Sequence, residues 1–197
     1  MGLDRDVVVH AAVELADTCG LERVSMRRLA QQLGVTPMAI YYHVPSKDAL
    51  IDLVVDESLR VVPTVDPLGY PLVELRSTFG VLFKLLIDHP GLAAAFGGRP
   101  LEGPVARRIG EGTLQLLRRR GLSDDDAARL LVSLFGFTLG SALYRSSRGG
   151  ARRFADATVE TPLVRRLSDR LAAVGRDDQQ FEDGIEALVV GYDAIGH

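Results

Sequence analysis

Residues 29–44 read LAQQLGVTPMAIYYHV, and this stretch decides how the beginning of the chain folds. Gly34 stands where a helix needs a left-handed residue to stop, and Thr36 is a typical cap for the next helix. The spacing of Ile40 and Val44 directs both side chains to one buried face. The stretch therefore predicts two short helices joined by a tight glycine turn, which is the helix-turn-helix arrangement.

The second helix of this pair carries large side chains that its buried face does not need. Met38, Ala39, Tyr41 and Tyr42 are predicted to face outward. Exposed side chains of this size on so short a helix are typical of a surface that meets a partner. A DNA major groove is such a surface, because small apolar groups contact the thymine methyl and Tyr hydroxyls reach phosphates or base edges. The alternative is that Met38 and Tyr41 are ordinary core residues of a helical bundle.

The residues around this pair resemble a known family. Residues 24–54 read VSMRRLAQQLGVTPMAIYYHVPSKDALIDLV. This is similar to the N-terminal DNA-binding domain of the TetR family of transcriptional regulators, in the S/T-x-R-x-L-A-x-x-L-G-V opening, the Y-Y-H-V end of the second helix and the lysine one turn into the following helix. The resemblance implies that these residues contact DNA: Arg27, Arg28, Thr36, Pro37, Met38, Ala39, Tyr41, Tyr42, His43 and Lys47.

The charge of the chain sets a condition on DNA binding. The formal net charge is −3, and residues 1–60 carry six Arg or Lys against nine Asp or Glu. DNA affinity must then come from a focused patch of Arg27, Arg28 and Lys47, together with helix N-termini aimed at phosphates. We expect a modest salt dependence per subunit and a need for dimerisation. The alternatives are that the two arginines are merely solvated and that His43 only caps its helix.

Helical signals dominate the whole chain and β signals are scarce, so the predicted fold class is all-α. Three prolines and a glycine make residues 63–71 a connector, and the polar, Gly- and Arg-rich segment 146–160 is expected to be mobile. We divide the chain into a three-helix DNA-binding domain (1–45), a connecting helix (46–62) and a larger effector-binding and dimerisation domain (63–197). The apolar spacing predicts helices at 4–19, 46–62, 72–88, 101–120, 123–145, 162–174 and 179–194, with a short helix or turn at 89–100.

The composition excludes several classes of protein. Of the 197 residues 47% are hydrophobic and 25% charged, which is typical of a globular chain. Cys19 is the only cysteine, so neither a disulfide framework nor a cysteine-based metal site is expected. There is no run of 18 apolar residues and no basic-then-apolar leader at the N-terminus. We therefore expect a cytoplasmic protein without a membrane partner.

Three later stretches resemble the tetracycline-repressor branch of the same family: GGRP at 97–100, FTLG at 137–140 and FEDGIEALVVGYDA at 181–194. In that branch two helices from each subunit form a four-helix bundle that holds a homodimer together. The helix at 123–145 is apolar on nearly every side, which suits burial between subunits, although a buried central helix of a monomer would look the same. The implied interface residues are Leu131, Phe135, Gly136, Gly140, Phe181, Ile185, Leu188 and Val189.

The larger domain is also expected to bind a small molecule. A mostly apolar cavity with a few polar groups suits a small hydrophobic effector, and a filled core would have the same composition. The residues that hold magnesium–tetracycline in that branch correspond here to Ala95, to Pro63 or Val62, and to Ser77, so no metal or other cofactor is expected. The candidate ligand-binding residues are Ser77, Phe79, Leu82, Phe83, Phe96, Leu114, Leu117, Phe135, Thr138 and Tyr144.

The resemblance implies a DNA-binding regulator rather than an enzyme, and it favours a repressor while leaving an activator as the alternative. A two-fold dimer would present two second helices about 34–36 Å apart to a palindromic operator. An effector would release the operator by favouring a different dimer conformation, with the connecting helix as the moving element. The alternative is a helical small-molecule-binding protein or enzyme with an incidental helix-turn-helix. The four histidines are scattered and no H-E-x-x-H, nucleophile elbow, phosphate-binding glycine loop or Cys–His pair is present.

Overall fold

The computed structural model describes residues 3–99, 101–146 and 161–195, with side chains described as far as Tyr192. The described residues are largely helical and contain no β-strand, which confirms the all-α fold class. The segment predicted at 146–160 lies outside the described residues except for Ser146. Short 3-10 helices, Leu21–Arg23 and Leu59–Val61, follow the first and fourth α-helices. The α-helices of the described chain are α1 Arg5–Cys19, α2 Met26–Leu33, α3 Pro37–His43, α4 Lys47–Ser58, α5 Pro71–Asp88, α6 Pro90–Gly97, α7 Pro104–Arg119, α8 Asp124–Ser146, α9 Pro162–Val174 and α10 Asp178–Ile195.

The capping residues set the ends of the early helices as the sequence predicted. The side chains of Ser25, Thr36 and Ser46 accept backbone N–H bonds at the start of α2, α3 and α4, over 3.3, 3.3 and 3.0 Å. Gly34 ends α2 with a φ of 65°, a left-handed conformation that glycine adopts without steric cost. The turn between α2 and α3 is therefore a property of these few residues.

The connecting helix is shorter than predicted. It ends at Ser58 and continues as a 3-10 turn, whereas the sequence predicted one helix to Val62. The Ser58 hydroxyl donates to the carbonyl of Val54 over 2.8 Å, a bond that competes with regular helical hydrogen bonding and bends helices. The tighter turn places Leu59 and Val62 in the core, where both are buried.

Helices α1 to α4 form the N-terminal head. Helix α1 packs against α2, α3 and α4, and α2 packs against α3. Ile40 and Val44 are fully buried, which confirms their predicted inward orientation. Each buried aliphatic side chain contributes about 1.5–3 kcal/mol, so this pair fixes which face of α3 is turned outward. The fully buried side chains of the head are Val8, Ala12, Val24, Leu29, Ile40, Val44, Leu50 and Val54.

Helices α5 to α8 and α10 form the larger C-terminal body. Helix α5 packs against α6, α7, α8 and α10, and α8 packs against α5, α6, α7 and α10. Helix α8 is apolar and long enough to span a membrane by composition, a property that it shares with core helices of soluble proteins. One side of α8 is buried against the body, whereas Val132 and Leu143 on the other side are exposed. Helix α9 buries none of its side chains completely.

Candidate nucleic-acid interface and ligand cavities

Helix α3 presents an outward surface of large side chains. Met38 is 76% exposed, Tyr41 45% and Tyr42 87%, which confirms their predicted outward orientation. Ala39 is partly buried, so its predicted contact with DNA stays a prediction. Thr36 and Pro37 are exposed at the start of the helix. The Thr36 hydroxyl accepts the Ala39 N–H and keeps its own hydrogen for donation to a phosphate.

Polar and cationic side chains stand at the end of α3 and on the two helices next to it in the chain. Lys47 is exposed at the first position of α4, where the helix dipole adds partial positive charge. The half-buried ring of His43 meets the ring of Tyr42 edge-on at 5.2 Å. Arg27 and Arg28 are exposed on α2, and Arg28 Nη1 donates to Cys19 Sγ over 3.6 Å. The structure thus brings the predicted DNA contacts of α2, α3 and α4 into one head.

An arginine of the body holds the beginning of α4. Arg99 follows α6, and its Nη2 lies 2.7 Å from Asp48 Oδ1 while its Nη1 lies 2.8 Å from Asp52 Oδ1. Nη1 also donates to the backbone carbonyl of Asp48 over 3.3 Å. The hydrogen bond to Asp48, with that to Asp52, raises the pKa of Arg99 above its ordinary value, so this side chain stays cationic. Asp48 is the neighbour of Lys47, so the link reaches the edge of the predicted DNA-binding surface.

A second link joins the last turn of α4 to the start of α7. The carboxylate of Asp56 accepts the backbone N–H groups of Val105, over 3.1 and 3.2 Å, and of Ala106, over 3.0 Å. A carboxylate at this place satisfies free helix donors and complements the helix dipole. Gly103 makes room for it, because a Cβ there would lie 2.1 Å from Asp56 Cγ.

Sequence reasoning missed both of these links. The signal was present, since Asp48, Asp52 and Asp56 recur every four residues and therefore share one face of α4. Nothing in the local pattern says that Arg99 and the first turn of α7 are the partners of that face.

Most of the candidate ligand-binding residues fill the core of the body. Leu114 and Phe135 are partly buried there, and Phe135 stacks near Phe96 with ring centroids 6.1 Å apart. The Thr138 hydroxyl, predicted among pocket residues, donates to the carbonyl of Leu134 over 2.7 Å. The fully or nearly fully buried candidates are Phe79, Leu82, Phe83, Phe96, Leu117 and Thr138.

Three of the candidates border open space, and one of them is the nearly fully buried Phe83. Ser77 borders a cavity of about 490 Å³ between α5 and the start of α10, which we call the α5–α10 cavity. Tyr144 borders a cavity of about 400 Å³ between α8 and the α9–α10 turn, which we call the α8–α9 cavity. Phe83 and Arg145 border both cavities. Arg145 was not predicted, because its position at the end of α8 suggests only a favourable charge for the helix dipole.

Three of the four interface residues predicted on α10 are buried within the single chain. Phe181 and Ile185 are buried within the single chain, and Phe181 stacks on Phe83 with ring centroids 3.9 Å apart. Val189 is also buried, and Leu188 is partly buried. Phe181, Ile185 and Val189 therefore pack on their own body, whereas the interface role of the partly buried Leu188 stays a prediction.

The α8 half of the predicted interface is more open. Gly136 and Gly140 are exposed, while Leu131 and Phe135 are partly buried. Val132 and Leu143, which the prediction omitted, are exposed on the same side as the two glycines, and Val190 is exposed on α10. We call Val132, Gly136, Gly140 and Leu143 the outer stripe of α8. Its apolar character leaves it suited to contact with another protein surface.

Acidic, histidine and cysteine side chains do not gather into a metal site within the described ranges. No group of three or more of them is placed there to hold a metal ion. Cys19 is a free thiol, partly buried at the end of α1.

The head, with its exposed α3 between capped α2 and α4, defines a helix-turn-helix protein joined to a helical body. The family description "Bacterial regulatory proteins, tetR family" matches residues 8–54, and "Tetracyclin repressor-like, C-terminal domain" matches residues 77–195. The chain therefore belongs to the TetR family, and the resemblance seen in the sequence is confirmed.

Relatives of known name agree with this assignment over nearly the whole chain. The HTH-type transcriptional repressor DrrR1 of Streptomyces coeruleorubidus is 30% identical over 213 residues, covering 98% of this chain and 78% of that protein. The class A tetracycline repressor from transposon 1721 of Escherichia coli is 28% identical over 198 residues, covering 96% of this chain and 90% of that protein. The Streptomyces coelicolor TetR family protein ActR, solved in complex with actinorhodin, superposes with a TM-score of 0.85 at 30% identity, covering 98% and 97% of the two chains.

Proposed function

We propose that this protein is a transcriptional repressor that binds operator DNA through α3 and releases it when a small molecule binds the body. The observation that carries the proposal is the outward face of α3, where Tyr42 and Met38 are largely exposed while Ile40 behind them is fully buried. Such a helix is a rigid carrier for groups that reach base edges. The relatives named as repressors, and ActR with its bound actinorhodin, support the same function.

We further propose that the working form is a homodimer. Two protomers would meet through the outer stripe of α8 and the exposed side of α10 around Val190. A two-fold axis there would place two α3 helices on successive turns of a palindromic operator. Dimerisation also supplies the affinity that an acidic head lacks, because a dimer doubles the number of phosphate contacts.

The release step would pass through α4. Its first half is tied to Arg99 and its last turn to the start of α7, so a shift of α6 or α7 would move the head. An effector changes operator affinity only if it binds the two arrangements with different affinities. The protein would act by binding alone, without catalysis and in the cytoplasm, where bacterial DNA lies.

Operator binding and release can be tested with purified full-length protein. The probes are fluorescent duplexes from the DNA flanking its own gene, with an unrelated duplex of equal length and base composition as control. We expect one flanking duplex to be retained at low salt, released as salt rises, and released at constant salt by a subset of apolar compounds. Equal retention of flanking and unrelated duplexes would contradict the proposal and favour a helical binding protein whose helix-turn-helix does not read DNA.

A further inference from the structure

We propose that the α8–α9 cavity binds a flat aromatic molecule that carries one acidic group. This inference rests on the proposed function, since it takes this cavity as the effector site and names the chemistry of the effector. The cavity has a volume of about 400 Å³, which falls in the range of small-molecule sites. Its described border is formed by α8, the end of α9, the start of α10 and Phe83 of α5.

The charge on the cavity border favours an anion. Arg145 is the only charged residue among the described residues that line it, alongside the polar groups of Ser141, Tyr144 and Gln180. The α5–α10 cavity differs, because three cations and three carboxylates line it and their charges cancel. A single cation in a mostly apolar cavity selects ligands of opposite charge, since an acidic group there gains charge-assisted hydrogen bonds.

Arg145 is placed so that it can hold such a group. Its side chain is only 17% exposed, whereas its ion-pair partner Asp178 is 84% exposed. The described hydrogen bond to Asp178 uses Nη1 alone, and a guanidinium carries five N–H donors. A ligand acid that approaches from the cavity can therefore bind the same guanidinium, or replace Asp178, which water solvates readily.

The shape of the cavity favours a flat ring system. Phe83 and Phe181 stack with centroids 3.9 Å apart and planes 3° apart, and Phe137 continues the stack at 5.4 Å and 11°. The Arg145 guanidinium lies 5.1 Å from the centre of the Phe83 ring. Phenyl rings make surfaces on which aromatic rings pack closely.

The acidic group is tested with a matched pair of fluorescent probes and full-length protein. Anilinonaphthalene sulfonate is flat, aromatic and anionic, and N-phenylnaphthylamine has the same ring skeleton without the sulfonate. We expect the wild type to bind the sulfonate at least about tenfold more tightly, and Arg145→Gln to abolish that preference. Lys84→Gln removes a cation that borders only the α5–α10 cavity and should leave the preference unchanged.

Asp178→Asn keeps the test informative if the loss of the ion pair disturbs the fold. This variant breaks the same pair but keeps Arg145, so it should bind the sulfonate as tightly as the wild type or more tightly. Equal affinity of the wild type for both probes would overturn the proposal, and so would a sulfonate preference that survives Arg145→Gln. A preference lost equally in Asp178→Asn and Arg145→Gln would also overturn it, because the effect would then follow from the broken pair.

The position of the bound probe is tested with inserted tryptophans, because the chain contains none of its own. Leu171→Trp places a donor at the α8–α9 cavity, and Leu68→Trp places one on an exposed connector residue outside it. We expect the bound sulfonate to quench the first tryptophan strongly and the second weakly; the reverse order would place the probe elsewhere and overturn the proposal. Probe binding is measured without DNA. A failure to bind the probe would therefore contradict only the proposed ligand site, and a failure to bind operator DNA would contradict only the proposed function.

Discussion

At the scale of the residue, α3 has a buried face that anchors the helix and an exposed face that is free to contact DNA. Ile40 is fully buried and anchors the helix, while Tyr42, two positions later, is 87% exposed. The anchor fixes the orientation of α3, so the exposed groups reach outward from a rigid base. Lys47 stands just beyond, at the N-terminus of α4. The predicted DNA contacts therefore fall into a base-reading group on α3 and a phosphate-binding group around it.

Replacing Tyr42 by Ala should weaken operator binding by about tenfold, which corresponds to about 1.4 kcal/mol. The side chain makes little contact with the rest of the head, so the midpoint temperature of thermal unfolding should stay the same. Tyr70→Ala is the matched control, since Tyr70 is 82% exposed on the body next to α5. Fluorescence anisotropy with the operator duplex measures both variants. Equal affinities for the two would show that α3 does not carry the reading surface.

Replacing Lys47 by Ala should weaken binding to operator and unrelated DNA alike. One phosphate contact fewer per protomer should lower the slope of log affinity against log salt by about one unit for each protomer. The chain has only one other lysine, Lys84. Its side chain is exposed, and its Nζ lies 3.7 Å from Asp88 Oδ2. Lys84→Ala therefore removes an equal charge outside the head and should leave the salt slope as it is. A slope that does not respond to Lys47→Ala would remove this residue from the interface.

Residue patterns predicted the outward face of α3 because the caps and the apolar spacing there are local. Thr36, Ile40 and Val44 determine the helix start and its buried side from within a single turn or two. The pocket residues could not be predicted in this way. Phe79 and Ser77 are equally plausible pocket residues from composition, and only the packing of α5 shows that Phe79 is core while Ser77 borders a cavity.

At the scale of the element, α4 joins the head to the body through three acidic residues on one face. Asp48 and Asp52 hold Arg99, which follows 51 and 47 residues later in the chain, and Asp56 caps α7. Helix lengths and the acidic spacing could be predicted from sequence because they repeat locally. The partners could not, because their distance in sequence leaves no periodic signal. The early end of α4 at Ser58 was also missed, since a serine hydroxyl bond to Val54 is a detail that apolar spacing does not encode.

Replacing Gly103 by Ala should destabilise the protein by about 1 kcal/mol, the usual effect of losing a helix cap. The added Cβ would lie 2.1 Å from Asp56 Cγ and force the carboxylate away from the N–H groups of Val105 and Ala106. Thermal unfolding followed by circular dichroism measures the change. Gly110→Ala is the control within α7, where the new Cβ only touches Leu131 at 4.0 Å and alanine favours the helix. A lower midpoint for Gly110→Ala than for Gly103→Ala would contradict the role of this cap.

At the scale of the whole molecule, the described residues of the body leave the apolar outer stripe of α8 exposed. The α10 side chains first expected at an interface are used to bury the chain's own core, and the outer stripe of α8 remains exposed. Sequence could not separate these two faces, because both are apolar and only the packing of α10 on α5 and α8 distinguishes them. The acidic average charge of the chain adds a reason for dimerisation, since one head alone offers few cations to DNA.

Replacing Val132 by Glu should convert the dimer into a monomer, because it places a charge on an apolar face that a partner would bury. Val132 is 70% exposed, so the single chain should fold as before. Val73→Glu is the matched control, because Val73 is 64% exposed on α5 outside the outer stripe. Light scattering should report a monomer for the first variant and a dimer for the second. If Val132→Glu remains dimeric, the subunits do not meet through this stripe.

The central claim, that this chain reads a palindromic operator as a dimer, is tested most directly by operator selection. Random duplexes are retained on the purified protein at low salt, recovered and sequenced over several rounds. The account predicts an enriched palindrome whose half-sites are about one helical turn apart, about 34–36 Å from centre to centre. It also predicts that Tyr42→Ala reduces this enrichment and Tyr70→Ala does not. Recovery of no sequence above background, or of single half-sites without symmetry, would contradict it.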